Sequence, residues 1–141
     1  MTKNVLAGAL FLAFGLIANA NDSDSPESID AAKEASTIWL SMVDEQKYQE
    51  SWSEASAILK GAVTQAEWTA NLNSIRGSLG AVERRDADTS EFHESLEELP
   101  DGEYFVFTFR SAFENRNFAY EVLAIAKEPD SSWRVMGYYF D

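Results

Sequence analysis

The sequence predicts an α+β domain in which three N-terminal helices pack on one face of a curved antiparallel sheet of about four strands. Two observations predict it. Apolar residues recur at helical spacing from Ile29 to Leu79. After Gly80 the period changes, and three apolar, aromatic strands follow, separated by short turn signals.

The chain opens with an expected leader over residues 1–20. "MTK" gives a positive start, Val5 to Ala18 is an unbroken apolar run, and Ala18-Asn19-Ala20 presents small residues at a cleavage site. The run of 14 residues falls short of the ~20 that span a bilayer as a helix. The leader therefore predicts an exported, cleaved protein, periplasmic or secreted, with no membrane attachment after cleavage. A short disordered lead-in over 21–25 precedes a single domain over 26–141.

Ser25-Pro26-Glu27 reads as a helix start, with a hydroxyl cap, proline in the first turn and an acid near the positive end. Ile29, Ala32, Ser36, Trp39, Leu40 and Val43 then form one stripe, so helix one is expected over Pro26–Glu45. A second helix is expected from Tyr48 to Lys60, with Tyr48, Trp52, Ala55 and Leu59 inward and Gly61 as its stop. The third starts at a capping box, Thr64 to Glu67, carries the stripe Trp68, Leu72, Ile75 and Leu79, and stops at Gly80. A polar stretch from Ala81 to Leu99 holds an irregular, partly exposed strand. Pro100-Asp101-Gly102 turns the chain into strands over Glu103–Phe113, Phe118–Lys127 and Trp133–Phe140.

A two-residue loop at Asn115-Arg116, or a four-residue loop at Glu114–Asn117, sets Arg110 directly opposite Glu121 as a cross-strand ion pair. That register puts Phe105, Phe107, Phe109, Phe113, Phe118, Tyr120, Val122 and Ala124 toward the helices. It leaves Val106, Leu123 and Ile125 on the other face with Arg110 and Glu121, an apolar surface that a second copy of the chain would cover. A homodimer through the sheet face is the expected assembly.

Composition narrows the function. The chain has 24 acidic residues, and removing Lys3 with the leader leaves ten basic ones, a net charge of −14. Such a field repels nucleic acid and anionic lipid, whose binding proteins neutralise phosphates with Lys and Arg. Without cysteine there is no disulfide and no thiol nucleophile, so four Trp, five Tyr and nine Phe must supply the packing.

The segments "WLSMVDEQKYQESW" (Trp39 to Trp52), Glu67-Trp68, "IRGSLGAVERR" (Ile75 to Arg85), "PDGEYFVFTFRSAF" (Pro100 to Phe113) and "WRVMGYYF" (Trp133 to Phe140) follow one another in a distinctive order. In them the chain resembles the exported bacterial domain-of-unknown-function family numbered 4019, from about Ala32 to Phe140. The resemblance implies a helix-then-sheet domain similar to the nuclear-transport-factor-2-like or cystatin-like cone, and it carries no activity. Cone folds serve isomerases, hydrolases, carriers and dimerisation modules alike. In the family a proline tends to follow the Arg of the Arg-x-x-Leu-Gly motif. Gly77 stands there in this chain, which would loosen the end of helix three.

The chemistry-bearing residues are few. The lone histidine, His93, sits in a polar segment and reads as a solvated surface residue. With Glu91, Glu94, Glu97 and Glu98 it matches no zinc or calcium loop, so neither a metal nor a cofactor is expected. Asp44, Glu67, Tyr104, Glu121 and Tyr138 are candidates for acid–base work at the helix–sheet junction, with helix-end and capping duty the simpler reading of Asp44 and Glu67. Arg76 and Arg85 flank the helix-to-strand corner, where two guanidiniums could clamp a carboxylate or sulfate, or tie the corner down by bonding the last helical carbonyls and nearby Asp86 or Asp88. Arg76, Arg85, Tyr104, Tyr138 and Trp68 are the candidate ligand-binding residues, Trp68 being core before it is a ligand box. No catalytic set is legible. The leading expectation is an exported, non-enzymatic binding or interaction module, with a small-molecule pocket between helices and sheet. The alternatives are an isomerase- or hydrolase-type enzyme on a cone fold and a structural envelope accessory without a small-molecule site.

Overall fold

A computed structural model of the protein describes residues 4–5 and 26–141. The rest of the expected leader over 1–20 and the lead-in over 21–25 lie outside the described residues. The elements run β1 (Asn4–Val5), α1 (Pro26–Asp44), α2 (Tyr48–Ser53), α3 (Ala57–Ala62), α4 (Gln65–Leu79), β2 (Val82–His93), β3 (Tyr104–Phe113), β4 (Arg116–Lys127) and β5 (Trp133–Phe140). Strands β2 to β5 form an open antiparallel sheet in sequence order, and β1 adds two residues along the outer edge of β5. The α+β class and the strand count follow the sequence reading. Among the described residues the helices number four, because the expected second helix is broken.

The break has a tertiary cause. Ser56 has an extended backbone, its amide donates to the Val135 carbonyl of β5 at 2.8 Å, and its hydroxyl caps Leu59 at 3.2 Å. The Ala57 amide donates to the Glu128 carboxylate at 2.9 Å. The sheet thus draws the chain out of helical geometry, and Gly61 lies inside α3. In α4 the capping box at Thr64 and Glu67 is complete. Gly77 does not shorten the helix, which runs to Leu79 and closes with the Gly80 amide on the Arg76 carbonyl at 3.0 Å. Gly80 adopts φ 80°, and a Cβ there would meet the Glu114 side chain at 2.9 Å, so the corner needs glycine twice over.

That corner also sets the hairpin register. The Glu114 and Asn115 amides donate to the carbonyls of Ala81 and Leu79, each at 2.9 Å, and the Glu114 carboxylate accepts from the Ala81 amide at 2.6 Å. The turn is consequently Glu114-Asn115, closed by the pair Phe113 and Arg116, with an irregularity between Ser111 and Phe113. Arg110 then lies opposite Tyr120, and Glu121 opposite Phe109. The expected Arg110–Glu121 pair is corrected: a slip of one residue sends every side chain of a strand to the other face. Arg110 instead meets Asp88 at 3.3 Å on the outside.

The inner face therefore carries Phe105, Phe107 and Phe109 with Glu121, Leu123 and Ile125. With Tyr138 and Phe140 it packs against Trp39, Leu40, Trp68 and Leu72 of the helices. On the outer face Tyr104, Val106, Ala124, Met136 and Tyr139 cluster with Leu96 of the segment between β2 and β3. Part of the face expected to need a second copy is thus covered by the chain itself. Phe118, Tyr120, Val122 and Arg110 extend that face, with Phe118 half exposed.

Candidate functional site

Six elements each send one polar side chain to a single cluster beneath the sheet. Asp44 is the last residue of α1, Arg76 lies near the end of α4, and Arg85, Ser111, Glu121 and Tyr138 come from β2, β3, β4 and β5. Arg85 holds two carboxylates at once. Its Nε and Nη2 donate to Glu121 Oε1 and Oε2 at 2.6 and 3.1 Å, and its Nη1 and Nη2 donate to Asp44 Oδ2 and Oδ1 at 2.8 and 3.0 Å. Arg76 Nη2 adds a bond to Asp44 Oδ1 at 2.9 Å, and its guanidinium lies 5.0 Å over the Phe113 ring. Glu121 is fully buried and accepts two further bonds, from Ser111 Oγ at 2.6 Å and from the Tyr138 hydroxyl. A carboxylate offers about four acceptor positions, and these four donors use them.

Two guanidiniums face two carboxylates, so the cluster is closed in charge, while the buried Arg76 Nε has no hydrogen-bond partner among the described residues. Burial pushes the Asp44 carboxyl up, but Arg85 and then Arg76 outweigh it and hold its pKa below the usual 3.8. Burial opposes the charge on Arg85, yet hydrogen bonds to Asp44 and Glu121 raise its pKa. Burial also pushes the Tyr138 hydroxyl well above 10, and the neighbouring Glu121 charge adds to this.

The linkage has a definite sign at each end of the pH scale. Asp44, with a lowered folded pKa, contributes stability that is present above about pH 3.8 and is lost as pH falls through its folded value. Tyr138, with a raised one, contributes stability present below pH 10 and lost as pH climbs above it. Tyr139, raised by burial, acts in the same sense. In urea melts across pH 9–12, stability is expected to fall above pH 10, and the fall should be shallower in Tyr138→Phe without vanishing.

Of the five candidate ligand residues, Arg76, Arg85 and Tyr138 meet in this cluster. Trp68 stands one layer away, fully buried, donating its indole N–H to Ser51 Oγ at 2.9 Å and lying 6.1 Å from the Trp39 ring, which in turn meets Tyr138 at 5.4 Å. Tyr104 is on the opposite face, its hydroxyl donating to the Pro100 carbonyl. Sequence reasoning missed that Asp44 and Glu121 share Arg85, and it missed Ser111 altogether. The expected solvated His93 is corrected: it is 2% exposed, on the face that Tyr104 and Leu96 occupy, and neither ring nitrogen has a hydrogen-bond partner. Strand alternation in "EFHE" carried that signal, since Phe92 turned inward leaves His93 on the far face.

Openings lie on either side of α1. One, of about 180 Å³, runs between α1 and the inner face of β2 and β3, beside Lys33, Thr37, Ser90, Phe107 and Phe109. Another, of about 190 Å³, lies between Ile38, Met42 and Trp133, with the Arg134–Glu54 ion pair at its rim.

A family model described as "Protein of unknown function (DUF4019)" matches residues 35–138, spanning every part of the cluster. The chain belongs to this family. No curated protein and no solved structure matches the chain. Within this DUF4019 domain the matched segment starts inside α1 and ends at Tyr138, so the cluster and the opening beside Trp133 fall within the family's bounds, as does the lining of the other opening except Lys33.

Proposed function

We propose that this DUF4019 protein is an exported, non-enzymatic binding module whose partner occupies the groove between α1 and the β2–β3 end of the sheet. The carrying observation is the division of labour between cluster and groove. The groups best suited to acid–base work, Asp44, Glu121 and Tyr138, are saturated by one another and by two arginines. The space a ligand can enter lies elsewhere, walled by Phe107 and Phe109 and edged by hydroxyls and one ammonium, that of Lys33. Pockets of this type, apolar with a few polar groups, bind and orient. A cone would place its cavity deeper, between sheet and helices, where Trp39, Trp68 and Tyr138 pack together here. The leader supports export, and the sheet-face dimer remains part of the proposal, its open surface being the Phe118, Tyr120 and Val122 end of the outer face.

Native mass spectrometry of protein purified gently from its own compartment tests this. A stoichiometric added mass is expected, and Ser90→Trp, which fills the groove, should remove it. A mass that survives Ser90→Trp, or bare protein throughout, would sink the groove as the binding site. The same spectrum reads monomer against dimer.

A further inference from the structure

Taking the groove as the binding site, we infer that its occupant is an extended, basic peptide segment that adds as a strand to the free edge of β2 and sets an apolar side chain in the groove. Strand β2 ends the sheet, with no described strand beyond it, so alternate backbone N–H and C=O groups along it point outward unpaired. Helix α1 packs over β4 and β5, and beside it the groove leaves Ala87, Ser90 and part of Phe109 uncovered on the inner face, while Phe105 and Phe107 are buried. Exposed strand edges bind peptides by strand addition, backbone bonds giving affinity and alternate side chains giving selectivity.

The two faces of β2 specify those side chains. Inward, Ala87 and Ser90 pair with Phe109 and Phe107 and border the groove, whose volume of about 180 Å³ suits one aliphatic side chain. Outward, Asp86 and Glu91 pair with Arg110 and Val106, and Glu83 and Asp88 also line the exposed strand. Arg84 engages Asp86 at 3.0 Å and Arg110 engages Asp88 at 3.3 Å, whereas Glu83 and Glu91 hold no ion pair among the described residues. β2 is irregular between Val82 and Arg84 and between Ala87 and Thr89, and along its regular stretch from Thr89 to His93 an added strand alternates in the same way, past inward Ser90 and outward Glu91. An apolar residue facing the groove therefore has neighbours on the acidic side, where Lys or Arg fits. Lys33 at the groove mouth excludes a cation from the inward position. The net charge of −14 without the leader steers a basic segment toward the protein over a longer range.

Edge acids also serve to keep sheets from pairing with one another, and the test separates the two roles. The probe is a fluorescein-labelled heptapeptide of alternating lysine and valine, titrated by anisotropy into the purified protein, with ¹⁵N-resolved NMR locating the contact. Binding is expected to weaken with added salt and by about tenfold in Asp86→Lys/Glu91→Lys, whose surface positions leave the fold intact. It should be lost when the central valine is replaced by proline, which cannot donate to the edge. Amide shifts should lie along β2 and the facing side of α1. Equal binding by a glutamate–valine peptide, indifference to the double charge reversal, or shifts elsewhere would each overturn the inference. If the peptide fails while a Ser90→Trp-sensitive mass persists in the native spectrum, strand addition alone is refuted and the groove stands.

Discussion

Replacing Glu121 by Leu is expected to cost about 3–5 kcal/mol of folding stability, the largest effect of any single charge in the protein. The carboxylate is fully buried and takes all its bonds from Arg85, Ser111 and Tyr138. Removing it leaves Arg85, whose side chain is 16% exposed, and Arg76 sharing the single carboxylate of Asp44, so one buried positive charge is uncompensated and the Ser111 and Tyr138 hydroxyls lose their acceptor. Arg85→Met has the mirror effect, leaving Glu121 charged and buried. The double variant Arg85→Met/Glu121→Leu strands neither charge, and Asp44 keeps Arg76 at 2.9 Å. It should therefore be less destabilised than the two single changes summed, by roughly 1–3 kcal/mol. Urea melts of the four proteins measure this directly. Additive losses would mean that the pair is solvated in solution and that the cluster does not lock the sheet to the helices.

Trp68→Ala is expected to cost about 3–5 kcal/mol, through a cavity and through loss of the hydrogen bond to Ser51 Oγ. Ser51 joins three elements at this point: its carbonyl accepts the Trp39 indole N–H at 2.8 Å, and its hydroxyl donates to the Tyr48 carbonyl at 2.6 Å. Trp68→Phe should cost less, since the ring volume is largely kept and mainly the donor goes. Thermal melts of both variants, read by circular dichroism, rank them. If Trp68→Ala melted like the parent but lost the mass carried in the native spectrum, Trp68 would be a ligand contact and its core role would be refuted.

The helix and strand inventory was legible because its signals are short-range. The capping box Thr64 to Glu67, the stripe from Trp68 to Leu79 and the stop at Gly80 lie within one helix and appear as read. The strands beginning at Tyr104 and Trp133 were equally clear, since each alternates or runs apolar between turn residues. The Arg76 and Arg85 corner was identified as a place where two cations meet acids. The acids expected there, Asp86 or Asp88, instead pair with Arg84 and Arg110, while Arg76 and Arg85 meet Asp44 and Arg85 also meets Glu121, partners from distant elements.

By itself, then, the sequence determined the α+β class, the order of the strands, the Thr64 cap and Gly80 stop of α4 and an acidic, cysteine-free composition, set by neighbours within a turn or a strand. Only the tertiary structure decided the register of β3 against β4, the break between α2 and α3, and the burial of His93. The register shows why. Docking Glu114 and Asn115 onto Ala81 and Leu79, more than thirty residues away, moves the turn by one residue. With the irregularity between Ser111 and Phe113 the net slip along the strands is one residue, which carries Glu121 from the expected pairing with Arg110 into the core beside Arg85 and Tyr138. Local periodicity can tell that a strand has two faces. Which face turns inward depends on contacts made across the whole fold, and in this protein those contacts decide which residues form the cluster and which line the groove.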